Sequence, residues 1–507
     1  MLDDLVKTAL IGTARATASF DAPTGAVGDA LAKLPTTGAE SRLLDAVAVL
    51  SRYEVCGRVP VPMNVVPAAA LADARPACSH RAGELLVRVL ATDAKSRRTL
   101  LDEWLAYAGR AGQRVPPALI PTLLDQAVGD VTVRDAVAAS VGARGAWLMA
   151  MNPRWRLGLA EQDDPVAIWT TGTPTQRAAA VRRMRATDPL RAVELIRSTW
   201  AEDGADERAA FVEGLAIGLT DADEPFLEPA LDDRSKQVRT AAAELLARLP
   251  GSAFVRRMTE RATALLSFTP AVAGGLLRKG KPAAISVALP TAFDPSWERD
   301  GVAEKGSAGL GPKQWWLRQI VAAIPPGHWS TTWGIAPAPC LAALPPEFAD
   351  VPLDAWDEAA GRSRDVAWVT ALLSETARHG RRPPRVELLD VLPPASQQAV
   401  ATEMLRATIS DTAGLMRIIH RTRLAFGPQA AAALFDRIDH HARVAAGRYD
   451  YTVGQIMEAV ALRVPPDAHD GLAERWSGPA WEPYRKPVDA CLTTLQLRRD
   501  IQKEFAT

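Results

Sequence analysis

Histidine and cysteine are sparse in this chain of 507 residues, which has 7 His and 4 Cys, while its 59 carboxylates form no pattern that identifies a general acid and base. The densest grouping is His440-His441 with Asp436 and Asp439 nearby. Adjacent residues on a helix point about 100° apart, so the two imidazoles do not converge on one ion as an HExxH pair does. A solvated helix face is expected there. His469-Asp470 has the dipeptide of metal-dependent phosphohydrolases, but no upstream His or downstream Asp completes the motif, and Pro465-Pro466 make the site loop-like. The run Gly306-Ser307-Ala308-Gly309-Leu310-Gly311-Pro312-Lys313-Gln314 has the glycines of a phosphate-binding loop. A P-loop also needs Gly-Lys-Ser/Thr, so that Lys reaches phosphate and the hydroxyl holds Mg²⁺, and Pro312 and Gln314 defeat both requirements. Cys56, Cys78, Cys340 and Cys491 lie too far apart for a CxxC pair or a disulfide framework. No Gly-x-Ser-x-Gly elbow is present. The expectation is therefore no catalytic, metal or cofactor-binding residue that a motif can name, and no cofactor. A site assembled from distant residues keeps an unrecognised hydrolase as one alternative.

Tryptophan is the more informative type. Trp147, Arg154 and Trp155 lie in Arg144-Gly145-Ala146-Trp147 to Asn152-Pro153-Arg154-Trp155, and Trp297, Trp315, Trp316, Trp329 and Trp333 are five of the 14 Trp in one Pro- and Gly-rich stretch. Trp is both a large core residue and a frequent interface anchor. The candidate partner-contact residues are Trp147, Arg154, Trp155, Trp315, Trp316, Arg318, Trp329 and Trp333, with core burial as the competing reading for each. Arg318, one turn beyond Trp315, is placed to stack on an indole or pair with an acid. Basic clusters at Arg182-Arg183-Arg185, Arg278-Lys279-Lys281 and Arg378-Arg381-Arg382-Arg385 read as solvated faces or helix C-terminal charges, and they keep a nucleic-acid reading open.

The elements that must carry these residues are mostly helices. Ala, Leu, Arg and Glu dominate while Tyr and Phe number 5 and 10, a balance that favours helix over strand. Arg177, Arg208 and Arg239 recur at intervals of 31 residues, each leading into an Ala-rich stretch, the regularity of stacked helix pairs. Thr173-Pro174-Thr175-Gln176 has the form of a capping box with Pro at the first helical position, and Asp188-Pro189 repeats the logic. Val238, Ala242, Leu245, Leu246 and Leu249 share one helical face that ends at Pro250-Gly251. An Asp loop followed by Val-Arg-x-Ala-Ala is how HEAT-like units look. Short helices are expected before this block, at 2–10, 41–55, 81–90, 95–108 and 117–127, with 57–79 as an extended Pro-rich segment lying over them. After it come a short strand near Ala284–Leu289, a helix over Lys313–Ile324, and helices at 353–362, 366–379, 396–409, 412–424, 428–446, 451–463 and 481–505. The expected fold is mainly α, with HEAT-like repeats forming an α-α superhelix. Its regions are 1–135 (N-terminal helices), 136–267 (repeats), 268–345 (irregular, Trp-rich) and 346–507 (C-terminal helices).

Basic and acidic residues number 59 each, so no global field draws the chain to nucleic acid or an anionic membrane. No run of about 18 apolar residues suggests a membrane span. An N-terminus with Asp3 and Asp4 lacks the basic start of a leader. A reducing, cytoplasmic setting is expected.

Leu10-Ile11-Gly12-Thr13-x-Arg15, Arg144-Gly-x-Trp-Leu with Asn152-Pro153-x-Trp155, Trp169-x-x-Gly172, Asp188-Pro189 and Trp315-Trp316-Leu317-Arg318-Gln319 together resemble a bacterial family of uncharacterised proteins bearing a domain-of-unknown-function label. The resemblance covers most of the chain. Members are often encoded beside MoxR-type AAA ATPases, von Willebrand factor A-domain proteins and SWIM zinc-finger proteins. It implies by association a helical scaffold or adaptor in an ATPase-centred system, with an AAA ATPase or a von Willebrand factor A-domain protein as partner. The function expected is thus non-enzymatic protein binding. A nucleic-acid-binding HEAT-like protein related to base repair is the alternative beside the hydrolase.

Overall fold

The computed structural model describes residues 2–13, 25–34, 38–56, 67–155, 165–273, 280–306, 309–379, 384–407, 412–421, 424–444 and 449–506. It is mainly α, as the composition predicts, with one two-stranded sheet among the described residues. Contacts divide it into Met1–Ala70 and Leu71–Thr507, a boundary inside the stretch expected as one N-terminal region. In the first unit, α1 (Leu2–Ile11) and α2 (Ala26–Ala32) pack on α3 (Ala39–Cys56). They bury Leu5, Val27, Leu31, Leu43, Ala46 and Leu50, and the Thr13 hydroxyl donates to Glu40 at 2.7 Å.

The second unit begins with α4 (His80–Leu90), α5 (Ala94–Arg110), α6 (Ile120–Gly129), α7 (Arg134–Ser140) and α8 (Gly142–Met151). Ser79 and Asp93 cap α4 and α5 through their side chains, each satisfying N–H groups that a helix start leaves open. The extended segment expected at 57–79 is described only from residue 67. Its Cys78 N–H donates to Arg114, and its Asp73 accepts the Ala143 N–H at the start of α8. Gly142 makes that contact possible. It has φ +66°, and a Cβ there would lie 2.1 Å from the Asp73 carboxylate.

Then follow α9 (Pro165–Thr171), α10 (Pro174–Thr187), α11 (Pro189–Thr199), α12 (Ala205–Gly214), α13 (Glu224–Ala230), α14 (Lys236–Leu246) and α15 (Ala253–Thr263). Helices α10, α12 and α14 start at the same 31-residue interval as their arginines and pack side by side in order. The arginines tie each unit to the next loop. Arg177 donates to Asp203 at 2.8 Å and lies over the Trp169 ring at 4.2 Å. Arg208 reaches Asp233 at 2.9 and 3.0 Å and the Asp203 carbonyl, and Arg239 reaches the Asp233 carbonyl at 2.8 Å. Gly214 sits where α10 and α12 approach, with space for a Cβ only 3.0 Å from Val181.

The basic cluster Arg182-Arg183-Arg185 is corrected in one member. Arg185 is not on a solvated face. It is 1% exposed, donates to both carboxylate oxygens of Asp223 at 2.9 Å, and bonds the carbonyls of Pro189, Leu215, Ile217 and Gly218. A buried guanidinium needs such a full set of acceptors. Of the other clusters, Arg278, Lys279, Arg381 and Arg382 lie outside the described residues.

In the Trp-rich region, β1 (Leu266–Thr269) pairs antiparallel with β2 (Ala284–Val287), Leu266 opposite Val287. The expected strand is thus present, and its partner is a second strand that the sequence reading did not name. Next come α16 (Pro312–Ala322), α17 (Gly327–Trp333), α18 (Pro337–Ala342), α19 (Asp350–Ser363), α20 (Val366–His379), α21 (Pro394–Arg406), α22 (Thr412–Arg421), α23 (Pro428–Val444), α24 (Tyr451–Ala461), α25 (His469–Arg475) and α26 (Arg485–Phe505). One apolar core runs from Trp169 to Leu495.

The last helix then turns to the beginning of the unit. Helix α26 packs on α24, α4 and α5 and places Leu497 and Ile501 in the core of α4–α7. Arg498 donates to Glu103 at 2.6 Å and to the carbonyls of Ala461 and Val464. Phe505 meets Trp104 edge-on at 5.3 Å. No helix among the described residues is long and apolar enough to cross a membrane.

Candidate functional site

Helix α14 buries Val238, Ala242, Leu245 and Leu246 and turns Lys236, Gln237, Thr240, Glu244 and Arg248 outward. Residues four apart lie one above another on a helix, so these form a polar stripe. Three adjoining cavities follow it, and Thr240 lines all three. One of about 510 Å³ lies between the stripe and Glu213 and Ala216 at the end of α12. A second, about 310 Å³, lies between α14 and the 298–305 turn with Arg239, Glu304 and Lys305. The third, about 220 Å³, is closed by α16 and α19.

The third cavity contains two of the residues singled out from sequence. Trp315 is half-buried with its Nε1 buried and without a hydrogen-bond partner, and the Arg318 guanidinium lies 5.6 Å from its ring. Arg318 donates to Glu358 at 2.7 Å, Arg362 donates to Glu358 at 2.9 Å and to Glu244 at 3.0 Å, and Arg362 also bonds the Ala322 carbonyl. The relay Arg318–Glu358–Arg362–Glu244 is charge-balanced and joins α16 and α19 to α14. On the floor, Asp300 is held by Arg257 at 2.6 Å and Arg261 at 2.7 Å. Glu358 and Arg362 are spaced i,i+4 on one helix, as many surface pairs are, and their links to Arg318 and Glu244 span 40 and 118 residues and leave no local pattern.

The other candidates are not brought to this place. Trp316 turns away from the cleft, donates to the Glu304 carbonyl at 2.8 Å and packs with Phe293 and Trp297. Trp329 is 1% exposed and packs, with tilted rings, between Trp333, at 5.0 Å, and Trp356, at 6.5 Å. Its expected partner-contact role is corrected to a core role, because a closed indole offers no surface. Trp333 is half-buried against Phe268. Trp147 is half-buried on α8. Trp155 and Arg154 both turn to Asp125, at 2.9 and 3.7 Å, with Arg154 exposed.

The residues weighed for metal are otherwise engaged. Asp436 and Asp439 each accept from Arg475 at 2.6 Å, and Asp439 also takes the Trp476 N–H. Asp470 accepts from Arg499 at 2.8 Å and contacts His469, which together hold its carboxyl below the usual range. Among the described residues no group of three or more His, Cys, Asp and Glu is arranged to hold a metal ion. Burial pushes the thiols of Cys340 and Cys491 up to about 12 and that of Cys78 up to about 11, while Cys56 is exposed. A thiol held protonated is a poor nucleophile.

Fold and groove together define a mainly α-helical protein of packed helices with a polar groove across consecutive units. Residues 4–505 match DUF5691, a family of unknown function, and the chain belongs to that family. No curated protein and no solved structure matches it.

Proposed function

We propose that this protein is a non-enzymatic, HEAT-like scaffold of the cytoplasm that holds a partner protein in the groove along α14. The observation that carries this reading is the continuity of the groove: one exposed helix stripe, Lys236 to Arg248, is shared by three adjoining cavities. Such a length suits an extended or helical segment of another protein better than a small ligand, which is enclosed on most sides. The electrostatics support the same reading. Charges of both signs line the groove, and those between α14, α16 and α19 are paired with one another, so they set register and specificity rather than attract one sign of charge. Trp315 lines the cleft half-buried, and Trp is the anchor type that interfaces favour.

The class of partner to test first is the one the family resemblance implies, a MoxR-type ATPase or a von Willebrand factor A-domain protein. Affinity capture of the full chain from native cells, with and without nuclease, tests the reading. A protein retained in proportion to the bait and unaffected by nuclease is expected. Capture that disappears with nuclease, or duplex binding that collapses as salt rises, would replace the reading with nucleic-acid binding.

A further inference from the structure

We infer that the partner segment in the α14 groove presents an aspartate or glutamate side chain to Arg239, which holds it as a bidentate carboxylate. This rests on the groove reading above and names the group that the groove recognises. The observation behind it is a comparison of Arg208 and Arg239, the fourth residues of α12 and α14. Arg208 donates from Nη1 to the carbonyl of Asp203, in the loop before its own helix, and gives its Nε and Nη2 fork to the Asp233 carboxylate, in the loop before the next unit's helix, at 2.9 and 3.0 Å. Arg239 repeats the first half of this pattern. Its Nη1 donates to the carbonyl of Asp233 at 2.8 Å and to that of Arg234 at 3.2 Å. The second half is missing. Among the described residues its Nε and Nη2 have no acceptor and it makes no ion pair, and neither nitrogen is closed off from solvent.

The sequence explains the empty fork. Arg177 and Arg208 find their carboxylates 26 and 25 residues further on. From Arg239 those steps fall on Leu265 and Ala264, where the chain leaves α15 for β1 and brings no acid.

Charge and space select the occupant. Arg239 lines the cavity of about 310 Å³ between α14 and the 298–305 turn, together with Lys236, Lys305, Glu298 and Glu304. None of the five makes an ion pair among the described residues, so three cations and two carboxylates leave one positive charge in excess. One carboxylate matches that excess. A phosphate group, with a charge of about −2 near neutral pH, would meet Glu298 and Glu304 across the cavity. A planar carboxylate also fits the guanidinium fork, in the geometry that Arg208 already makes with Asp233. A single docked acid of this kind fixes the register of the segment along the Lys236 to Arg248 stripe.

The test uses the full chain carrying Arg239→Lys, which keeps the charge and supplies a primary amine. A carbodiimide joins an amine to a carboxylate in contact with it as an amide and leaves as a urea. Applied to this variant in native-cell extract, it should link position 239 to an Asp or Glu of the retained protein, read by mass spectrometry of the crosslinked peptide. Arg239→Gln, checked for cooperative unfolding, should weaken retention roughly ten- to hundred-fold, the size of hydrogen bonds to a charged group. Arg239→Lys should weaken it less, because only the fork is lost. Links from position 239 to Glu298 or Glu304 alone, no link while a protein is retained, or retention unchanged by Arg239→Gln would overturn the inference. Thr240→Arg separates the two readings. A partner lost from Thr240→Arg but held equally by Arg239→Gln leaves the groove standing and this inference wrong, whereas a partner held by both removes both.

Discussion

Arg185 carries a full positive charge inside the helical stack, and its environment leaves no substitute for it. Arg185→Met leaves Asp223 buried without its cation, so a loss of about 3–5 kcal/mol is expected. Urea unfolding measures it, and a loss under about 1 kcal/mol would contradict the assigned role. The position shows what sequence carried and what it hid. Arg182, Arg183 and Arg185 look alike as a basic run, but Ala178, Val181, Met184 and Arg185 occupy one helical stripe, and only phase separates the buried member from its neighbours. Arg177, Arg208 and Arg239 were legible because they repeat; the carboxylates that receive Arg177 and Arg208 were not, because they stand 26 and 25 residues away and share no interval with them. Cysteines give a second check at this scale. Burial protects Cys78, Cys340 and Cys491, so a thiol reagent should modify Cys56 rapidly under native conditions and the other three on unfolding. Rapid modification of all four would contradict the packing around them.

At the scale of elements, the loop between α13 and α14 ties neighbouring helices together through its carboxylates. Burial alone would raise the Asp233 carboxyl, but the Arg208 hydrogen bonds, the Ser235 N–H and the nearby guanidinium charges outweigh it and lower it. A carboxyl lowered on folding adds stability above its unfolded value, about 3.9, and loses it as pH falls through the folded value. Asp233→Asn should therefore destabilise on the order of 2 kcal/mol near neutral pH. The difference from the unmodified chain should shrink below about pH 4; chemical unfolding at several pH values would show it, and a pH-independent difference would contradict the linkage. Helices of this scale were legible where a cap or an apolar stripe marked them, as the Thr173 capping box marks α10 and the Val238–Leu246 stripe marks α14. Strand β1 was not, because Leu266–Thr269 is too short to show a period and only its pairing with β2 distinguishes it. Helices α17 and α18 were hidden by their prolines, which here stand at helix starts, where the missing N–H costs nothing.

At the scale of the whole second unit, the C-terminal helix completes the core of the first helices of that unit, a contact across 395 residues between Arg498 and Glu103. No periodic pattern records such a contact, so sequence reading could name α26 and not its place. Ile501→Ala opens a cavity between α26 and α4–α7 and should cost about 2–5 kcal/mol. Removal of residues 485–507 should expose that core and make the chain aggregate, which light scattering would report; a monomeric, cooperatively folding product would contradict the arrangement. The central claim, that the α14 groove holds a protein partner, is tested most directly at Thr240, exposed and common to its three cavities. Thr240→Arg fills the groove without entering the core, and Leu190→Arg changes an exposed residue elsewhere, 66% accessible. Quantitative capture from native cells should show a partner lost from Thr240→Arg and kept by Leu190→Arg, with equal thermal stability for both. A partner set unchanged by Thr240→Arg would contradict the account.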